Sequence, residues 1–167
     1  IPIEGVNLEK LSTTYIIKLL LSLVKYIINP QDVLALSTLL NSPLCGINTQ
    51  ELFLLFKSPF NEPLALLTQL EKRVFSLNAS SQQRVMKIIL IFKHAHHHAY
   101  RTNISEKARS VWSQLNGDLI VEKKLEEDVN LFWDLLLKNN KWPLDITLVE
   151  KQIDYKYSEQ KSRCNVK

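Results

Sequence analysis

Apolar residues recur along this chain at spacings near 3.6, leucine is abundant, and no segment alternates apolar with polar residues over a strand's length. That pattern predicts helices from end to end. The first spans about Ser12 to Ile28, with Tyr15, Leu19, Ser22, Leu23 and Tyr26 on one stripe. Its polar positions are few, which places it centrally in a core. Asn29-Pro30 stops it, and Pro30 then opens a second helix whose inward face is Val33, Leu34, Leu36, Leu39 and Leu40. Asn41-Ser42-Pro43 breaks that helix. After Gly46, Asn48 is placed as an N-cap with Glu51 three residues on, the spacing of a capping box, opening a short helix from Thr49 to Lys57. Asn61 caps a helix from Pro63 to about Leu77, Ser80 or Ser81 caps a long one to about Tyr100, and Ser105 caps another to Leu115, closed by Asn116-Gly117. Val121 to Lys138 forms the next, with Leu125, Val129, Phe132 and Leu136 on its apolar face, and a last short helix follows Asp145. The expected fold is all-α, an irregular multi-helix domain of about seven to eight helices. Residues 1–154 form a single helical domain and residues 155–167 a polar, flexible tail.

Composition removes several function classes. The chain has 167 residues, 46% of them apolar, enough for a substantial core, so it does not read as disordered. Its three glycines, Gly5, Gly46 and Gly117, lie far apart. A phosphate-cradling P-loop or a dinucleotide fingerprint needs two or three glycines within about six residues, so neither is present. The most apolar stretch, Tyr15 to Ile28, is interrupted by Lys18 and Lys25 and falls short of the ~20 apolar residues of a membrane span. Cys45 and Cys164 fit no Cys-x-x-Cys pattern; free thiols in a reducing cytosol are expected, with a disulfide as the alternative. The chain opens at Ile1 with no secretory pattern, and we expect a cytoplasmic segment of a longer protein.

The formal net charge is +4, but it is uneven. Lys72 to Arg109 holds eight basic residues and one acidic, whereas Asp118 to Glu150 holds eight acidic and four basic. A basic middle beside an acidic end describes either a polyanion-facing side or two solvated faces that attract each other. His94, His97 and His98 have helical spacing that can hold a metal, but no carboxylate lies between them as in His-Glu-x-x-His, and exposed or partly packed histidines are the plainer reading. No nucleophile elbow is present, Glu126, Glu127 and Asp128 read as a solvated face beside Lys123 and Lys124, and Trp112, Trp133 and Trp142 read as core. No catalytic constellation is visible, so the chain by itself reads as no enzyme.

One segment has more physical content. Asn41 to Thr49 is a rigid proline turn with a glycine, leading directly into a helix start. Free backbone N–H groups at a helix N-terminus, approached closely past a glycine, can hold an anion such as a DNA phosphate. An ordinary helix–helix corner has the same sequence pattern.

The same segment resembles the accessory subdomain called 2B of superfamily 1 DNA helicases of the UvrD/Rep/PcrA and RecB/AddA type. The resemblance rests on Asn41-x-Pro43-x-x-Gly46-Ile47-Asn48-Thr49, ending in Leu52, preceded by Pro30-Gln31-Asp32 and the Leu34 to Leu40 helix. Ser110-Val111-Trp112-Ser113-Gln114-Leu115 and Leu125-Glu126-Glu127-Asp128-Val129-Asn130-Leu131-Phe132 are similar to segments of helicase–nucleases of the AdnA/AdnB kind. The resemblance runs from about Leu19 to Leu137. It departs from the family where Asn48 replaces a second glycine and Cys45 replaces a basic residue. It implies a subdomain that contacts the phosphates of double-stranded DNA and partners the motor domains of its parent helicase, with ATP and magnesium on those domains and no cofactor or metal here. The implied phosphate-facing turn is Gly46, Ile47, Asn48 and Thr49. Arg73, Arg84, Lys87 and Lys93 are further candidates for a sequence-independent electrostatic footprint. A helical protein–protein interaction module with no DNA role is the alternative.

Overall fold

The computed structural model describes residues 3–60, 65–97, 103–139 and 144–164, with side chains described from Tyr15 to Lys156 within those ranges. Among them the chain is all-α: eight α-helices and three short 3₁₀ turns, with no strand. The helices are α1 (Ile3–Ile28), α2 (Val33–Leu40), α3 (Thr49–Phe56), α4 (Leu66–Arg73), α5 (Ala79–His97), α6 (Ile104–Gln114), α7 (Glu126–Lys138) and α8 (Ile146–Cys164). No described helix is long and apolar enough to cross a membrane.

The contacts gather into two compact units, where the pattern of the sequence suggested one domain. The larger comprises Lys18–Glu122. Its core takes Leu19, Leu20, Leu23 and Tyr26 from α1, Leu36, Leu39 and Leu40 from α2, Val85, Ile89 and Phe92 from α5, and Val111 and Trp112 from α6, all buried. The other comprises Ile1–Ile17 and Lys123–Lys167. There α7 and α8 pack together, burying Val129, Phe132, Trp133 and Leu136 of α7 and Val149 and Ile153 of α8. The apolar stripe expected on α7 is thus the buried one, and α8 takes in residues 155–164 of the expected tail. Trp142, in turn, lies outside the described residues.

The differences from the sequence reading fall mostly at helix starts. Pro30 does not open α2: Asn29 to Gln31 is a turn, and the Asp32 carboxylate accepts from the Ala35 N–H at 2.8 Å as the N-cap. The frame of α2 shifts accordingly. Ala35, Leu36, Leu39 and Leu40 are buried, whereas Val33 and Leu34 face solvent. Asn78, not Ser80 or Ser81, caps α5 by accepting from Ser81 N–H at 2.9 Å, and Asn103, not Ser105, caps α6. In each case a short side-chain oxygen accepts from a free N–H two or three residues further along the chain. The start of α4 is at Leu66, and the cap expected at Asn61 and the start expected at Pro63 lie outside the described residues. Asn116 does close α6, in the left-handed conformation at φ 57°. Gly117 follows against the Trp112 ring, where a Cβ would come within 2.2 Å of the ring atoms.

Candidate nucleic-acid interface

The turn from Asn41 to Asn48 is knitted around Ser42, which is 2% exposed. Its hydroxyl donates to Leu39 O at 2.6 Å and accepts from Leu44 N–H, and its carbonyl accepts from the N–H groups of Cys45 and Gly46. Ile47 N–H donates to Leu40 O at 3.0 Å and the Ile47 side chain is buried, pinning the turn to the end of α2. Between these anchors Gly46 is exposed at φ +63°, a conformation a side chain rarely adopts. Burial pushes the Cys45 thiol up to about 12, so it is a neutral core group.

Asn48 then caps α3 as the spacing predicts. Its side chain accepts from Glu51 N–H at 2.9 Å and Glu51 accepts from Asn48 N–H at 3.1 Å. This box satisfies two free donors of the helix start and leaves the N–H groups of Thr49 and Gln50. The other Glu51 oxygen accepts from the Ser81 hydroxyl and from Asn78 Nδ2, tying α3 to the start of α5. These bonds, with Arg84 nearby, hold the Glu51 carboxyl below its ordinary range, so it is ionised at neutral pH. The helix start therefore already carries one negative group, a feature the resemblance did not suggest.

The candidate cations divide into two classes. Arg84 joins the turn: its Nη1 donates to Gly46 O at 2.7 Å while the side chain stays exposed. Lys87, one turn further along α5, is exposed on the same side of the helix. Arg73 is committed elsewhere. Its guanidinium donates to Leu55 O, Ser58 O and Pro59 O at 2.8–2.9 Å and lies 4.1 Å over the Phe60 ring, fastening the end of α3. Lys93 is paired with Glu71 at 2.5 Å. Of the eight expected residues, Gly46, Ile47, Asn48, Thr49 and Arg84 thus come together, Lys87 adjoins them, and Arg73 and Lys93 are held in contacts of their own. The capping box of Asn48 and Glu51 is as the spacing predicts; what sequence reasoning missed is that buried Ser42 organises the turn and that Glu51 also reaches Asn78 and Ser81.

The described histidines do not converge. His94 and His97 are exposed, His96 packs on Tyr26 and Phe92, and His98 lies outside the described residues. Among the described residues no three His, Cys, Asp or Glu side chains are grouped to hold a metal ion. A cavity of about 270 Å³ opens between α5 and α6, lined by His94, Glu106, Lys107, Ser110 and Gln114 among others. Trp112 and Trp133 are buried, which removes them as base-stacking platforms. No protein-family model, no curated protein and no solved structure matches the chain.

Proposed function

We propose that this chain is a 2B-like accessory subdomain of an ATP-dependent DNA helicase or helicase–nuclease of repair or recombination. Its role is to contact the backbone of duplex DNA and regulate unwinding by the motor domains of its parent. The observation that carries this reading is the Gly46–Thr49 turn, exposed at Gly46, Asn48 and Thr49, with Gly46 at φ +63°, its carbonyl fixed to α5 by Arg84, and an open helix start behind it. A phosphate at this place meets the N–H groups of Thr49 and Gln50, the Thr49 hydroxyl, and the charges of Arg84 and Lys87. The Glu51 carboxylate opposes it, so the two cations are needed to make the surface attractive. Such contacts read no base sequence. The motor's ATP sites would lie on other parts of the parent, in keeping with the chain's scattered glycines.

The test is duplex binding by fluorescence anisotropy over a salt series. The logarithm of affinity should fall linearly with the logarithm of salt, by about 0.9 per phosphate neutralised, and Lys87→Gln should make the slope shallower by about that amount. Binding that ignores salt, or an unchanged slope in the variant, contradicts the assignment. The second reading, an interaction module without a DNA role, is favoured by the exposed apolar side chains Leu34, Phe53, Phe75 and Leu90. It predicts docking that depends little on salt.

A further inference from the structure

Helix α3 has two unlike faces. Leu55 is fully buried, and Glu51, one turn before it, reaches Asn78 and Ser81 at the start of α5. On the opposite side Thr49, Phe53 and Lys57 recur at i, i+4 spacing, and all three are exposed, Phe53 at 68%. Packed against α3 is the 3₁₀ turn Val74–Ser76, where Phe75 is 79% exposed, three residues after the exposed Lys72. Each bare phenylalanine therefore has an exposed lysine one helical turn away. The acids of these elements are otherwise engaged: Glu51 is hydrogen-bonded to Ser81 and Asn78, and Glu71 is paired with Lys93.

Exposed aromatic rings flanked by cations are the chemistry that takes unpaired bases, and the Glu51 carboxylate is turned to the other side of α3, toward Asn78 and Ser81. The ring faces stack, the cations follow the phosphates, and no base identity is required. A purely apolar partner would gain nothing from the lysines. We infer that the outer face of α3, with Phe75 of the adjoining turn, binds single-stranded nucleic acid by stacking unpaired bases on Phe53 and Phe75, with Lys57 and Lys72 on the phosphates. This inference rests on the proposed function and extends it. Thr49 belongs to the duplex-facing turn, and Phe53 follows it by four residues, about 6 Å along the helix. One short helix then meets both the duplex backbone and the first unpaired bases, the two sides of a fork.

Two labelled probes test it: an oligothymidylate, which cannot pair with itself, and a blunt duplex. Each is titrated by anisotropy with the whole chain and with Phe53→Ala, Phe75→Ala and Phe53→Trp. Both side chains are exposed, so their loss leaves the core intact; circular dichroism verifies this. Each alanine variant should bind the oligothymidylate about fivefold or more weakly, the tryptophan variant should bind it as well as the parent with quenched fluorescence, and duplex affinity should stay constant. Unchanged oligothymidylate affinity in both alanine variants overturns the inference and leaves the duplex reading standing. If the parent binds neither probe at ~100 µM protein, both fall. Self-association abolished by Phe53→Ala also overturns the inference, since a second copy would then cover this face.

Discussion

Gly117 shows how far a single atom matters. The Trp112 indole donates to the Asp118 carboxylate at 3.0 Å and fills the space where a Cβ on residue 117 would sit. Gly117→Ala should lower stability by about 1–3 kcal/mol in urea unfolding, the cost of overpacking a closed core. His96 carries a second residue-scale consequence. Its ring packs on Tyr26, centroids 5.2 Å apart, and its buried Nε2 finds no partner among the described residues. Burial, opposed by a hydrogen bond to the Tyr26 backbone and reinforced by the Lys107 charge, holds its pKa below the ordinary 6.5. The unfolded chain therefore takes up the proton first. The contribution of His96 to stability is full above about pH 6.5 and is lost as the pH drops toward the depressed folded value. In His96→Phe the fall across that window should be smaller than in the unsubstituted chain, and equal slopes in the two proteins would refute the assignment. Neither effect was legible beforehand. Asn116-Gly117 reads as a helix stop, which it is, but the tryptophan packed on the glycine is a tertiary fact. The histidine cluster reads as exposed or partly packed positions on a helix, but which member packs is not marked in the sequence; it is His96, between the spaced pair.

At the scale of elements, periodicity located the helices and the turn residues ended them. Pro30, Pro43 and Asn116 all sit in breaks between helices. The starts were less legible, because several short polar residues compete at each one and geometry picks the winner. Asn78 and Asn103 win over the serines that follow them. Asn48 was found because its partner Glu51 sits at the reciprocal spacing. The candidate cations follow the same logic. From sequence Arg73 and Lys87 are equivalent basic residues on helices, and only the fold distinguishes a guanidinium spent on three carbonyls of the α3 terminus from an exposed ammonium. Arg73→Gln should therefore destabilise the chain by about 1–2 kcal/mol and speed hydrogen exchange in the last turn of α3. It should leave the salt slope of duplex binding unchanged, where loss of slope would return Arg73 to the DNA-facing set.

For the whole molecule, the all-α class followed from the sparse glycines and the 3.6 spacing, whereas the division into two units did not. One continuous helix, α1, contributes residues up to Ile17 to one unit and from Lys18 to the other, so no break in pattern marks that crossing. The electrostatic asymmetry was visible as counts, and its meaning depends on which charges the fold leaves free. Near the Gly46 turn those are Arg84 and Lys87, balanced in part by Glu51.

The accessory-subdomain account makes its plainest claim about the protein around this chain. It is tested most directly by sequencing the coding DNA on either side of this segment. The account predicts a Gly-x-x-x-x-Gly-Lys-[Ser/Thr] motif upstream and motor motifs resuming downstream. A start codon immediately before Ile1 and a stop immediately after Lys167 would contradict it, and would leave a free-standing helical protein in its place.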